Sequence, residues 1–186
     1  MKKIIVFASG SGSNAEKIIK HCQETNVMEV VRVYTNNPSA KVIDRANSLQ
    51  IPVGVFTRED FNNGKILEKL LQENPDLIVL AGFLWKFPEA IVKEFPNKII
   101  NIHPALLPKY GGKGMYGMNV HQAVLDNKEK ETGITIHYVN EQYDEGAIIF
   151  QKSVTIEDCT TADAIAEKIH ILEHQYFSEV IEKLLT

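Results

Sequence analysis

Residues 3–19 read KIIVFASGSGSNAEKII: a short apolar run, a glycine-rich loop, and then apolar residues at helical spacing. The run Lys3–Ala8 predicts a buried strand. Ile18, Ile19 and Cys22 predict the buried face of the helix that follows. A strand that enters a helix through glycines is typical of the first unit of an open α/β sheet, so this stretch predicts the fold class.

The alternation of strand and helix continues as far as residue 101. Further strands are predicted at residues 29–34, 52–56, 76–82 and 98–101, with helices at 41–49, 64–72 and 88–94 between them. Helices of about ten residues between strands favour right-handed βαβ units, and hence a parallel sheet with helices on both faces. The strands are apolar almost throughout, as expected for strands that are buried on both faces.

The regular alternation of strands and helices ends after residue 101. A glycine-rich loop at 111–117 leads to a short helix at 120–126, and strands at 132–139 and 148–154 are joined by a turn at 143–146. A long final helix is predicted from Thr161, with Thr160 and Asp163 as a capping box at its start. Its inward face carries the apolar residues Ile165, Ile169, Leu172, Phe177 and Val180. No linker or repeat divides the chain, so we expect one α/β domain over residues 1–186: a Rossmann-like, mostly parallel sheet with helices on both faces, followed by a C-terminal strand pair and helix.

The composition argues against several classes of protein. The chain has 186 residues, a formal net charge of −4 and no basic stripe, which argues against a nucleic-acid partner. Cys22 and Cys159 stand alone, which favours a reducing compartment and disfavours a thiolate zinc site. The N-terminal apolar run is too short for a signal peptide, and the longest apolar stretch, Leu77–Trp85, is too short to cross a membrane. We therefore expect a cytoplasmic protein with no membrane partner.

The first loop carries a pattern typical of anion sites. Gly10, Gly12 and Ala15 form a G-x-G-x-x-A arrangement between strand and helix, where backbone N–H groups can approach a phosphate. A capping box formed by Ser13 and Glu16 is the simpler alternative, because a well-capped helix start needs no ligand.

A dinucleotide would require one more residue. NAD sites place a carboxylate about 20 positions further on, at the end of the second strand, where it binds the ribose hydroxyls. Asn36 and Asn37 occupy that position here. The loop therefore favours a phosphomonoester on a smaller ligand.

The fifth predicted strand leads into the segment that carries candidate chemistry. Residues 99–112 read IINIHPALLPKYGG, and Asn101 and His103 share one face of the strand because they are two positions apart. An amide and an imidazole that converge on one point can stabilise an oxyanion and move a proton. By itself the pattern is weak, because a loop histidine with a purely structural role is the simpler explanation.

Further motifs distinguish these alternatives. They are GSGSN at 10–14, PDLIVLAGF at 75–83, NIHPALLPKY at 101–110, TGITIHYVNEQYDEGAII at 132–149 and EHQYF at 173–177. With them the chain resembles the phosphoribosylglycinamide formyltransferases, a branch of the 10-formyltetrahydrofolate-dependent formyltransferase superfamily, over essentially its whole length. The HPALLP block and the downstream Asp-x-Gly turn mark the superfamily, and the glycine loop followed by Asn14 points to this branch.

The resemblance implies an activity and its substrates. It implies transfer of a formyl group from 10-formyltetrahydrofolate, as co-substrate, to the amine of glycinamide ribonucleotide in de novo purine synthesis. It implies no metal and no covalent intermediate, and it leaves the oligomeric state open.

The resemblance also implies roles for individual residues. The implied catalytic residues are Asn101, His103 and Asp144; the implied phosphate and ribonucleotide contacts are Gly12, Ser13, Asn14, His170 and Glu173. The implied folate-binding residues are Leu84, Trp85, Lys86, Phe87, Asn101, Asn140, Glu141, Gln142, Tyr143 and Asp144. In the implied mechanism a protonated His103 and the Asn101 amide stabilise the oxyanion, while Asp144 raises the pKa of His103.

The chain departs from the family pattern in two segments. The common Met-Arg-Ile-Leu folate segment reads LWKF at 84–87, and the loop GGKGMYGMNV at 111–120 is lengthened. The aromatic residues Phe83, Trp85 and Phe87 could stack on a pterin or belong to the core. His137 could line the pocket or be packed, whereas His121 and His174 are expected to be solvent or packing residues.

Other functions remain possible at this point. A formyltransferase acting on a sugar amine would carry the same trio, and a non-catalytic nucleotide-binding module would be expected to break it. A methionyl-tRNA formyltransferase would be expected to carry a further C-terminal domain and a basic surface, and a formyltetrahydrofolate hydrolase an N-terminal domain.

Overall fold

The computed structural model describes residues 1–186, in which seven strands form one sheet with seven helices around it. The strands are β1 Lys2–Phe7, β2 Met28–Thr35, β3 Val53–Val55, β4 Leu77–Leu80, β5 Ile99–His103, β6 Glu131–Tyr138 and β7 Ile148–Thr155. The helices are α1 Ser13–Thr25, α2 Val42–Ser48, α3 Arg58–Asn62, α4 Lys65–Glu73, α5 Glu89–Glu94, α6 Met118–Asp126 and α7 Ala162–Leu185. None of these helices combines the length and apolar character that crossing a membrane requires.

The strand order is β3-β2-β1-β4-β5-β6-β7. Every pair from β3 to β5 is parallel, and β6 and β7 are added as antiparallel strands. The predicted mostly parallel sheet with a C-terminal strand pair and helix is therefore confirmed. The chain moves outward from β1 to β3 and then returns to the other side of β1, so β1 and β4 form the point where ligands of open α/β sheets bind.

The core lies on both faces of the sheet. Along β1 the side chains alternate, so that Ile4 and Val6 belong to one cluster and Ile5 and Phe7 to the other. The first cluster also takes apolar residues from α1, α2, α6 and α7, and the second takes them from α3, α4 and α5. All five predicted inward residues of the last helix are buried in the first cluster.

Two local details differ from the sequence prediction. The short helix α3 was not predicted, although Thr57 and Asp60 form a capping box at its start and supply the usual signal. At the start of α7 the cap is Thr161, whose side chain accepts a hydrogen bond from the Ala164 N–H at 3.1 Å, and not Thr160. The first difference concerns a helix of five residues, which is too short to show periodicity, and the second a helix end, where the signal comes from one or two residues.

Candidate active site

A cavity of about 600 Å³ opens at the carboxyl ends of β1, β4 and β5. It is lined by these residues from the sequence prediction: Gly12, Ser13, Asn14, Leu84, Trp85, Lys86, Phe87, Asn101, His103, Asn140, Gln142, Tyr143, Asp144, His170 and Glu173. Glu141 is the exception, since it is exposed and does not line the cavity. The fold thus brings together residues from the first loop, the middle of the chain and the last helix.

The start of α1 has no side-chain cap. Gly12 occupies the N-cap position in the left-handed conformation, with φ 73°. Because it has no side chain, it offers no capping acceptor to the first-turn N–H groups. The alternative of a capping box is wrong, because the Glu16 carboxylate pairs with Lys20 and Arg45 instead. The Ser13 N–H donates to the Ser11 hydroxyl at 3.4 Å, and the next two N–H groups, those of Asn14 and Ala15, remain available to an anion.

Gly12 is also required by packing. A Cβ at this position would lie 2.4 Å from the Val42 Cγ2 atom, so α2 approaches the loop too closely for any side chain. The Val42 N–H donates to the Gly10 carbonyl at 3.1 Å, which holds α2 against the loop. The glycine thus serves both the loop conformation and the position of α2.

Asn14 on α1 and Glu173 on α7 meet at the same end of the cavity. The Asn14 Nδ2 atom donates to Glu173 Oε2 at 2.9 Å, and the Asn14 Oδ1 atom is buried with no partner. Burial raises the pKa of Glu173 above its ordinary value, although Asn14 and His170 oppose the shift. The pair joins two helices and leaves a buried acceptor for a ligand donor.

His103 ends β5 and is buried, with a relative exposure of 3%. Its Nε2 atom lies 2.7 Å from the Tyr110 carbonyl oxygen, and its Nδ1 atom lies 3.6 Å from Asp144 Oδ1. Burial lowers the pKa of His103 below its ordinary value, and this outweighs the opposite effects of Asp144 and the Tyr110 carbonyl. Asp144 raises the pKa of His103, as the sequence analysis predicted, but the net shift of the pKa is downward because desolvation of the charged ring is the larger effect.

The hydrogen bond of His103 determines which nitrogen carries its proton. A carbonyl oxygen can only accept, so the Nε2 atom must donate to Tyr110. In the neutral ring the Nδ1 atom then carries the lone pair, on the side of the Asp144 carboxylate. Such a ring can take up a proton at Nδ1, and the carboxylate stabilises the imidazolium that results.

Asp144 lies in the turn after β6, at φ 53°. Its Oδ2 atom accepts the Gly112 N–H at 3.0 Å, and its Oδ1 atom lies 3.5 Å from His137 Nε2. Burial raises its pKa, but the contact with His137, the charge of His103 and the Gly112 N–H outweigh burial, so the net pKa of Asp144 is below its ordinary value. The carboxylate is therefore ionised.

The glycine of the Asp-x-Gly turn has a packing explanation. A Cβ on Gly146 would lie 1.6 Å from the Tyr138 carbonyl oxygen, so the turn closes directly against β6. Only glycine permits this approach, and the approach in turn sets the position of Asp144 above the sheet.

His137 is a site residue that the sequence left undecided. It is 2% exposed and lines the cavity, with its Nδ1 atom 2.9 Å from the Tyr138 carbonyl and its Nε2 atom 3.1 Å from Asn101 Nδ2. Its pairing with Asn101 follows from the antiparallel register of β5 and β6, in which the two residues are partners. His137 thus orients the amide, and one of the two amide N–H groups remains free.

The antiparallel register of β5 and β6 also positions Thr135. It pairs with His103 across β5 and β6, and its hydroxyl donates to the Ala105 carbonyl at 2.7 Å and accepts the Leu107 N–H at 3.0 Å. The side chain of Gln151 on β7 holds the Leu107 carbonyl at 2.9 Å. These contacts hold the loop that follows His103. A buried threonine in an apolar strand was the only signal for them in the sequence.

The segment 84–87 forms the opposite wall. The Leu84 N–H donates to Ser9 Oγ at 3.0 Å, and the Ser9 hydroxyl donates to Asn36 Oδ1 at 2.7 Å. Asn36, which stands at the position of the acidic residue in NAD sites, thus helps to hold this wall through Ser9. The ends of β1, β2 and β4 are joined at one buried hydroxyl.

The aromatic side chains of this wall differ in how deeply they are buried. Phe83 and Phe87 are buried, and both rings pack on Phe7 in the core, at centroid distances of 5.4 and 4.9 Å. Trp85 is partly buried beneath the Arg58 guanidinium, which lies 3.9 Å from the ring centroid. The two phenylalanine rings therefore belong to the core, and all three aromatic residues also line the cavity.

His121, His174 and the lengthened loop differ in whether they line the cavity. His121 is buried, which agrees with a packing position and not with a solvent position, and it also lines the cavity. His174 is partly buried and does not line the cavity. The lengthened loop contributes residues 112–117 to the lining, and the Gly112 N–H binds Asp144.

Comparison with known proteins gives a consistent result. The chain is 38% identical over 191 residues to phosphoribosylglycinamide formyltransferase of Bacillus subtilis, covering 100% of this chain and 95% of the relative. It is 39% identical over 187 residues to the chloroplastic phosphoribosylglycinamide formyltransferase of Arabidopsis thaliana, covering 97% of this chain but only 64% of that longer relative.

Solved structures of similar proteins have the same fold. Glycinamide ribonucleotide transformylase 1 from Geobacillus kaustophilus superposes with a TM-score of 0.91 at 34% identity, and each chain is covered to 100%. Phosphoribosylglycinamide formyltransferase from Anaplasma phagocytophilum gives a TM-score of 0.90 at 32% identity, with 99% of this chain and 87% of that chain covered. The sequence model of the formyl transferases matches residues 2–181. With a catalytic-type cavity at the ends of β1, β4 and β5 and this match over nearly its full length, the chain belongs to the formyl transferase family.

Proposed function

We propose that this protein transfers the formyl group of 10-formyltetrahydrofolate to the amine of glycinamide ribonucleotide in de novo purine synthesis. The observation that carries the proposal is that one cavity joins two kinds of lining around a buried imidazole. The uncapped helix start with Asn14 and Glu173, the folate-type segment 84–87 and His103 all line this cavity. A formyl transferase needs such a meeting point, because donor and acceptor must react directly.

The acceptor side would bind the ribonucleotide. The N–H groups at the start of α1, with Gly12, Ser13 and Asn14, would hold the phosphate. Glu173 and His170, from α7, would contact the ribonucleotide beside it, with Glu173 accepting from ribose hydroxyls. A carboxylate next to a phosphate site fits a ligand that carries both an anion and hydroxyl donors.

The donor side would bind the folate. Leu84, Trp85, Lys86 and Phe87 form one wall, in which the Phe87 side chain supports the fold and the others face the cavity region. The residues of 140–144 that line the cavity form the other wall, and the Lys86 ammonium lies 5.5 Å from the Tyr143 ring centroid. Apolar and aromatic surface with one cation suits a flat heterocycle that carries a carboxylate tail.

The chemistry would centre on the formyl carbon. The glycyl amine attacks it, a carbon–nitrogen bond forms, and the formyl oxygen gains negative charge. The free N–H of the Asn101 amide, which His137 orients, donates to that oxygen. The nitrogen that attacked now carries a positive charge and must lose a proton.

His103 would receive that proton. Its Nδ1 atom is unprotonated in the neutral ring, and Asp144 stabilises the imidazolium that forms. The proton then passes to the folate nitrogen as the bond between that nitrogen and the formyl carbon breaks. Formylated ribonucleotide and tetrahydrofolate leave, and His103 is neutral again, so the step balances without another reactant.

A spectrophotometric assay of formyl transfer from 10-formyltetrahydrofolate tests the proposal. We expect release of tetrahydrofolate only when glycinamide ribonucleotide is present. We expect this release to be lost in the His103→Ala variant. Release without any acceptor would indicate a hydrolase, and transfer to an amino sugar but not to the ribonucleotide would indicate a sugar-amine formyltransferase. Ligand binding without turnover would indicate a binding module. The cytoplasmic location and the absence of nucleic-acid and metal partners stay predictions from the sequence.

A further inference from the structure

His121 on α6 is a buried polar residue that the mechanism above does not use. Its relative exposure is 3%, it lines the cavity, and its Nδ1 atom is buried with no hydrogen-bond partner. Leaving a buried polar group without a partner destabilises a fold by about 1–3 kcal/mol, so such atoms are usually satisfied by a ligand or by water. The position of His121 in the cavity favours a ligand.

The surroundings of His121 place it on the acceptor side. The charges that act on its ring are those of His170 on α7 and of His103. His170 is one helical turn from Glu173, and both line the cavity. His121 therefore shares the cavity with the residues proposed to bind the ribonucleotide and with the imidazole proposed to receive its proton, and the charges of His170 and His103 reach its ring.

The charge state of His121 restricts what it can bind. Burial, with smaller contributions from the charges of His170 and His103, lowers the pKa of His121 to about 4. At neutral pH the ring is uncharged and offers one N–H donor and one acceptor nitrogen. It suits a hydroxyl or an amide better than it suits a phosphate, which the start of α1 already serves.

We propose that His121 is a further ribonucleotide-binding residue, whose imidazole hydrogen-bonds a neutral polar group of the acceptor, either a ribose hydroxyl or the glycinamide amide. This inference rests on the proposed function, because it takes glycinamide ribonucleotide as the acceptor. Packing alone is the competing explanation, and it would leave the Nδ1 atom unsatisfied when the ligand is bound.

Two substitutions separate hydrogen bonding from packing. His121→Phe keeps a planar ring and removes both nitrogens, whereas His121→Asn loses part of the ring and keeps a polar atom near the position of Nδ1. His174→Phe is the matched control, because the His174 Nε2 atom is also buried without a partner and burial also lowers its pKa, but it does not line the cavity.

Calorimetric titrations with glycinamide ribonucleotide, ribose 5-phosphate and tetrahydrofolate measure the effect. For His121→Phe we expect the Kd of glycinamide ribonucleotide to rise about tenfold or more, the scale of one lost hydrogen bond with a partner left unpaired. The Kd of tetrahydrofolate for His121→Phe should stay within about threefold of the wild-type value. For His121→Asn and for the control His174→Phe, the Kd of glycinamide ribonucleotide and the Kd of tetrahydrofolate should both stay within that range. If ribose 5-phosphate is weakened as well, the contact is a ribose hydroxyl; if only glycinamide ribonucleotide is weakened, it is the amide.

Several outcomes would overturn the inference. Unchanged ribonucleotide binding in His121→Phe would do so, and so would the reverse order, in which Asn weakens binding and Phe does not. Equal loss of all three ligands would indicate a packing defect. In each of these cases formyl transfer by the wild type would still stand, whereas a wild type that does not bind glycinamide ribonucleotide would overturn the proposed function together with the inference.

Discussion

The Nδ1 atom of His103 lies 3.6 Å from the Oδ1 atom of Asp144, and both side chains are largely shielded from solvent, with exposures of 4% and 11%. The pKa of each group lies below its ordinary value, for different reasons. Burial is the main cause for the imidazole, whereas contacts with His137, His103 and Gly112 outweigh burial for the carboxylate. The resting pair is therefore a neutral ring beside an ionised acid, ready to accept one proton.

Removing either member of this pair should affect turnover. We expect His103→Ala and Asp144→Ala each to lower kcat by about 100-fold or more, the usual scale for a lost acid–base group. Steady-state kinetics with both substrates measures the change. His21→Ala is a matched control, because His21 also pairs with a carboxylate, that of Glu182 at 2.6 Å, but lies outside the cavity. Near-normal rates in both site variants would remove these residues from the mechanism.

The pH dependence should follow from the lowered pKa of His103. Because the neutral ring accepts the proton, kcat/KM should be constant near neutrality and fall with acidification, with its midpoint below about 6.5, the ordinary histidine value. Asp144→Asn removes the charge that raises this pKa, so the acid limb should move to still lower pH. A pH–rate profile of the free enzyme checks both statements. An acid limb above the ordinary value would contradict them.

The contact between Asn14 and Glu173 should act on binding. Asn14→Ala removes both the 2.9 Å bond to Glu173 and the buried Oδ1 acceptor, so KM for the ribonucleotide should rise about tenfold while KM for the folate is unchanged. Gln23→Ala on the same helix, where the side chain binds the Leu49 carbonyl, should change neither constant. An unaltered ribonucleotide KM in Asn14→Ala would move the phosphate elsewhere.

Gly12 should be intolerant of a side chain. Gly12→Ala combines φ 73° with a Cβ placed 2.4 Å from Val42, and we expect it to lower the free energy of unfolding by about 1–3 kcal/mol. Gly10→Ala is the control, because its Cβ would meet nothing within 4 Å and its backbone is not left-handed. Thermal or urea unfolding of both variants tests the difference. Equal stability would mean that α2 moves away without penalty.

The elements of the fold could be predicted because their signals are local. An apolar run such as Lys3–Ala8 and a helical stripe such as that of the last helix are properties of neighbouring residues, and the structure contains both. The short α3 was missed although Thr57 carried a cap signal, because five residues offer no periodicity. Asn101 and His103 could be singled out from their spacing on one strand, whereas Asp144 joined them only through the family resemblance, because a sequence does not show how close a distant turn lies to a strand.

The amino-acid sequence by itself determined the order of strands and helices apart from α3, the glycine positions in the first loop and the Asp-x-Gly turn, and the family. Only the tertiary structure decided that His137 orients Asn101, that His121 lies unpaired in the cavity, and that burial outweighs Asp144 at His103. The reason is physical. Secondary structure reflects interactions between residues a few positions apart, whereas desolvation and cross-strand contacts are sums over atoms that only folding brings together.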